Sequence, residues 1–102
     1  MANYWKDKVV WVTGASSGIG EALVRQLAEK GAIIILSSRN ADKLEVLKAK
    51  LPHAEKHSIL PLDVSNENII NQALISRKEL INSVDVLINN AGISQRALTW
   101  EA

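Results

Sequence analysis

The stretch Val9-Val10-Trp11-Val12-Thr13-Gly14-Ala15-Ser16-Ser17-Gly18-Ile19-Gly20 decides the fold. Its first five residues form a short apolar run without the alternation of a half-exposed strand, which predicts a strand buried on both faces. Gly14, Gly18 and Gly20 then crowd into one turn of a chain that has five glycines in all. A missing side chain permits positive φ and close approach of a ligand to the backbone. From Gly18 to Lys30, Ile19, Ala22, Leu23, Leu27 and Ala28 make one helical stripe, with Glu21, Arg25 and Glu29 on the other side. Gly31 closes that helix as a C-terminal cap. A helix beginning directly at a glycine turn offers unpaired amides and the positive end of its dipole, an arrangement that favours a phosphate or pyrophosphate.

Outward from this unit, Ala32 to Ser37, Ser58 to Leu62 and Val84 to Asn89 read as three further buried strands. Asn40 caps a second helix, Ala41 to Leu51, in which Leu44, Leu47 and Leu51 recur at helical spacing before Pro52 stops it. Ser65, with Asn68 three residues on, opens a third helix reaching Ile81. Strands and helices therefore alternate. Short connections and right-handed crossovers reduce this order to an α/β, doubly wound parallel sheet with strand order 3-2-1-4 and helices on both faces. The 102 residues fit one domain, since domains commonly run to about 100–150 residues.

Composition narrows the function. With 47% hydrophobic and 23% charged residues the chain is globular in character, neither disordered nor collagenous nor a heptad rod. Having no cysteine, it holds neither a disulfide scaffold nor a thiolate metal site, and a reducing compartment suits it. Its 12 Lys and Arg against 11 Asp and Glu leave +1, too little for nucleic-acid or membrane binding driven by bulk charge. No signal-peptide stretch and no run of roughly 20 apolar residues occurs, so a soluble, cytoplasmic protein is expected.

The glycine spacing separates several nucleotide sites. No Gly-Lys-Ser/Thr follows, which excludes a P-loop, and G-x-x-x-G-x-G is not the G-x-G-x-x-G fingerprint. At Thr13 to Gly20 the chain resembles the short-chain dehydrogenase/reductase family, whose T-G-x-x-x-G-I-G it matches in full. Asn89-Asn90-Ala91-Gly92 matches the family's N-N-A-G after the fourth strand, and Asp63-Val64 matches an Asp-Val pair after the third. The resemblance implies a truncated Rossmann-like domain with a dinucleotide across the carboxyl ends of the strands. Gly14, Gly18 and Gly20 would cradle it, and Ser16, Ser17 and Ile19 would line its pyrophosphate and nicotinamide side. By the same resemblance Asp63 and Val64 would flank the adenine, and Asn90, Ala91 and Gly92 the ribose.

Eighteen residues beyond Gly20, where an NAD-preferring protein carries Asp or Glu, stand Ser38 and Arg39. A serine hydroxyl can donate to a 2′-phosphate and a guanidinium can pair with it, so the expected cofactor is NADP. The family's catalytic Tyr-x-x-x-Lys would lie beyond Ala102, leaving the cofactor-binding half and no catalytic residue here. Tyr4 and Lys8 do have that spacing, but they precede the first strand, at the end of the sheet opposite the expected nicotinamide. His53, Glu55 and His57 supply no convincing metal set. Trp5, Trp11 and Trp100 are too scattered for a stacking platform and suit core or interface packing. Two other readings are a non-catalytic nucleotide-binding or regulatory module and, less well supported, a receiver-type domain built on Asp63, for which Thr13-Gly14 offers no acid to hold a metal. The fourth strand lacks lysine and proline, so as a sheet edge it is expected to pair with a second copy.

Overall fold

The computed structural model of the chain describes residues 4–16, 18–62 and 67–90. Four parallel strands, β1 (Val9–Thr13), β2 (Ile33–Ser37), β3 (Ser58–Ile59) and β4 (Val86–Asn89), form one sheet in the order β3-β2-β1-β4. Helix α1 (Gly18–Glu29) links β1 to β2, and α2 (Ala41–Lys50) with a 3-10 turn (Ala54–Lys56) links β2 to β3. Helices α3 (Glu67–Ser76) and α4 (Lys78–Asn82) precede β4. The strand order is the one expected from sequence.

Continuous apolar strands are explained by two cores, one on each face of the sheet. Val10, Val12, Ile34 and Leu36 point to one side, where Val24, Leu27 and Ala28 of α1 and Leu44 and Leu47 of α2 cover them. Trp11 and Ile35 point to the other, against Ile81 of α4, Leu60, Leu62 and Val84. Successive strand residues face opposite ways, so β1 and β2 need no polar face. Each such side chain contributes roughly 1.5–3 kcal/mol when fully buried. Trp11 also donates its indole N–H to the buried Ser37 hydroxyl at 2.7 Å.

The buried side of α1 differs from the expected stripe. Gly20, Val24, Leu27 and Ala28 face the sheet, while Ile19 is 77% exposed and Ala22 is also exposed. An apolar count overlooks Gly20 because its contribution to packing is the absence of a side chain. The helix ends as expected. Gly31 sits at φ 91°, its N–H bonding to Ala28 O (3.0 Å) while Ala32 N–H reaches back to Leu27 O (3.1 Å); these are the paired bonds of a Schellman cap. Asn40 caps α2 by accepting from Lys43 N–H at 3.1 Å.

Two further expectations need correction. The segment expected as one helix is broken at Arg77, whose φ −116° and ψ 35° are not helical. The break turns α4 so that Ile81 packs with Trp11 and Ile35, and burial of that side chain outweighs continuation of the helix. Its expected cap, Ser65, lies outside the described residues. Regular β3 ends at Ile59 rather than Leu62. Pro61 has no N–H, yet Leu60 N–H still bonds to Leu36 O (2.8 Å) and Leu62 N–H to Ser38 O (3.0 Å). The proline occupies the position whose amide would face away from β2, which suits an edge strand.

At the other edge, β4 begins at Val86, two residues later than expected. Asp85 makes the junction: its N–H bonds to Val9 O (2.8 Å) and its carboxylate accepts from Val9 N–H (2.9 Å). Among the described residues no helix is long and apolar enough to cross a membrane.

Candidate functional site

Connections leave β1 toward β2 on one side of the sheet, while β4 pairs with β1 on the other, so the sense of winding reverses between β1 and β4. In open α/β sheets this reversal leaves a crevice at the carboxyl ends of the strands. Thr13 and Asn89 are the paired last residues there. The buried Thr13 hydroxyl donates to Asn89 Oδ1 (2.8 Å) and accepts from the Asn90 backbone N–H (3.0 Å). This ties the two strand ends together.

The glycine turn is held from both flanks. Ala15 N–H donates to Ser37 O (3.0 Å) on the β2 side, and Asn90 Nδ2 donates to Gly14 O (3.4 Å) on the β4 side. Gly14 adopts φ 65°, the left-handed conformation that turns the chain back toward α1. The first turn of α1 then lies directly on this bend. A Cβ on Gly20 would come within 2.1 Å of Gly14 O and 2.8 Å of Asn90 Nδ2. Gly18 has the opposite surroundings: a Cβ there would meet nothing within 4 Å, and the neighbouring Ile19 is exposed. The inner wall of the turn is thus packed solid and the outer wall is open. The amides at the start of α1 and its positive dipole end suit an anion in that opening.

A second surface adjoins the first. Ser38 Oγ accepts from Asn40 N–H (3.2 Å), so the residue after β2 folds its hydroxyl into the bend leading to α2. Arg39 is exposed. Nearby, a groove of 440 Å³ is lined by Ser16 of the glycine turn, Glu21 of α1, and Asn40, Lys43 and Val46 at and within α2. Of its charged residues, Glu21 pairs with Arg25 at 2.8 Å.

The fold brings Gly14, Ser16, Gly18, Ile19, Gly20, Ser38, Arg39 and Asn90 to the carboxyl end of the sheet. Ser17, Asp63, Val64, Ala91 and Gly92 lie outside the described residues, as does Trp100. Tyr4 is an exposed residue ahead of β1, edge-on to Trp5 and 5.1 Å from the Lys8 ammonium. The whole of β1 separates it from the glycine turn. His53 is exposed, its Nδ1 4.0 Å from Glu55 Oε1. His57 is turned inward, with both ring nitrogens in hydrogen bonds. Thr13 and Asn89 were legible only as motif letters. A polar residue ending an apolar strand is the signal that marks Thr13 as a strand-end tie.

A parallel sheet with its crevice at the winding reversal, a glycine turn and an open helix start define a nucleotide-binding α/β domain. The family profile described as short chain dehydrogenase matches residues 8–102, and the chain belongs to that oxidoreductase family, which binds a nicotinamide dinucleotide. An uncharacterized oxidoreductase of Staphylococcus saprophyticus is 44% identical over 91 residues, covering 89% of this chain and 37% of that protein. The alcohol dehydrogenase of the archaeon Thermococcus sibiricus, solved with 5-hydroxy-NADP, superposes with a TM-score of 0.70 at 34% identity, over 80% of this chain and 36% of that one. An NADH-dependent reductase solved with NAD gives 0.72 at 28% identity, over 87% and 38%. The chain spans 30 to 37% of the length of the curated relatives it matches.

Proposed function

We propose that these residues form the dinucleotide-binding domain of an NADP(H)-dependent oxidoreductase. Gly14, Ser16, Ser17, Gly18, Ile19 and Gly20 hold the pyrophosphate in this reading, with Asp63 and Val64 beside the adenine and Asn90, Ala91 and Gly92 beside the ribose. The open wall at Gly18 and the positive dipole end of α1 fit an anionic diphosphate. Bound there, the cofactor supplies or accepts hydride. The chain's own part is to bind and orient it, while proton transfer is assigned to groups outside this sequence.

One observation carries the choice of NADP: the bend after β2 presents Ser38 and exposed Arg39 in place of an acid. Likeness alone does not choose, because one similar structure was solved with NAD and another with an NADP derivative. A carboxylate would repel the 2′-phosphate, whereas Arg39 is free to form charge-assisted bonds to it. Calorimetric titration with NADPH and NADH tests the assignment. Arg39→Ala should weaken NADPH by about 1.5–3 kcal/mol and leave NADH unchanged. Equal affinities of the unaltered protein for both cofactors, or a preference left unchanged by the substitution, would overturn it. Pairing of two copies along β4, which has a strand on one side only among the described residues, belongs to the same proposal. A monomer in sedimentation at micromolar concentration would refute that part.

A further inference from the structure

Alternate amides of β2 serve different neighbours. Ile33 N–H donates to Lys8 O beside β1 at 2.8 Å, whereas Leu36 O, facing β3, accepts from Leu60 N–H at 2.8 Å. Ile34 lies in phase with Leu36, so its N–H also faces the β3 side. Pairing with β3 starts only at Ile35 and Ser58, and no strand carbonyl is in register for that amide. The imidazole of His57 fills the place: Ile34 N–H donates to His57 Nδ1 at 3.0 Å. The other ring nitrogen, Nε2, donates to Pro52 O at 2.9 Å, at the end of α2. Ile34 is 0% and His57 4% exposed, so water does not readily take over either bond.

We propose that His57 acts as a side-chain substitute for a missing strand carbonyl, and that its protonation in acidic solution unlocks the β3 edge of the sheet. The two bonds require one tautomer, with the proton on Nε2 and Nδ1 bare. A second proton on Nδ1 would face the Ile34 N–H, donor against donor. The bond would break and a buried amide would lose its partner, at the point where β3 joins the sheet. The same edge supports Ser38 through Leu62 N–H, so release at His57 propagates toward the carboxyl end.

The charged surroundings act in both directions. Burial holds the His57 pKa below its ordinary value, opposed by the bond to the Pro52 carbonyl. Lys48 of α2 and His53 reinforce the lowering, and Glu55 of the 3-10 turn opposes it. Strands β2 and β3 contribute no titratable side chain. Protonation therefore occurs below the ordinary histidine range and is resisted by the fold.

The test is nuclear magnetic resonance of 15N-labelled protein, with His57→Asn as the matched variant, since an asparagine amide oxygen can replace Nδ1 as acceptor but does not titrate. Ring 15N shifts should show an unprotonated Nδ1 and titration of His57 below the ordinary histidine value of 6.5. Between about pH 7.5 and a pH below the His57 midpoint read from those ring shifts, Ile34 protection, corrected for intrinsic exchange, should fall roughly tenfold or more relative to Ile33. In His57→Asn that pH dependence should vanish. The opposite tautomer, unchanged Ile34 protection, or the same dependence in the variant would overturn the proposal. The first two readouts use the unaltered protein and decide the matter even where the variant does not fold.

Discussion

Substituting Gly20 by alanine separates the two walls of the glycine turn. The added Cβ would lie 2.1 Å from Gly14 O, so carbonyl and helix must part by at least about 1 Å to reach ordinary contact. Neither side moves freely. Gly14 O is bonded by Asn90 Nδ2, the next amide is bonded to Ser37 O, and Gly20 stands one turn from Val24, which is wholly buried against the sheet. Overpacking costs about 1–3 kcal/mol, and loss of the Ala15 to Ser37 bond adds roughly 1 kcal/mol, for a total of about 2–4 kcal/mol. Gly18→Ala is the control, because its Cβ enters open space at the first helical position, where alanine is no worse than glycine. Urea unfolding followed by tryptophan fluorescence, to which buried Trp11 contributes, measures both variants. Gly20→Ala should lose those 2–4 kcal/mol, whereas Gly18→Ala should stay within about 0.5 kcal/mol of the parent while binding NADPH less well. A Gly20→Ala protein as stable as the parent, or a Gly18→Ala protein less stable than Gly20→Ala, would refute the packing argument.

Thr13→Val keeps the side-chain volume but removes the hydroxyl joining Asn89 and Asn90; thermal unfolding should show a loss of about 1–3 kcal/mol, and an unchanged midpoint would contradict the strand-end tie. His57 is held neutral by the fold, so the unfolded chain binds more protons between its lowered folded pKa and the ordinary value of 6.5. Stability should therefore decline as pH falls below about 6.5, by no more than about 1.4 kcal/mol per pH unit from this group, and level off below the folded pKa. The difference between parent and His57→Asn in urea titrations across pH isolates that contribution, and a difference of opposite slope would exclude it. If the proposed function holds, Tyr4→Phe should leave NADPH binding by this chain unchanged, because Tyr4 is at the amino end of β1; a large loss of affinity in calorimetric titration would show that position to be wrong.

Much of this molecule is local and therefore legible in the chain. The apolar runs of β1 and β2, the leucine spacing of α2, the Asn40 cap and the left-handed Gly31 each depend on residues within a turn or two of one another. Chain order plus right-handed crossovers was enough to place β1 between β2 and β4. The glycine spacing likewise located the turn that faces the crevice. Contacts between distant segments decided the rest. Gly20 rather than Ile19 faces the sheet because Gly14 O and, brought in by β4, Asn90 Nδ2 leave no room there for a Cβ. Arg77 interrupts a plausible helix because Ile81 gains a core formed with β1, β2 and the residues flanking β3 and β4. His57 looks like a loop histidine until β2 and β3 pair and leave the Ile34 amide, 23 residues away, facing its ring. A sequence specifies periodicity, caps and breakers through neighbours along the chain, but which polar atom lacks a partner, and which side chain supplies it, exists only after strands remote in sequence have met.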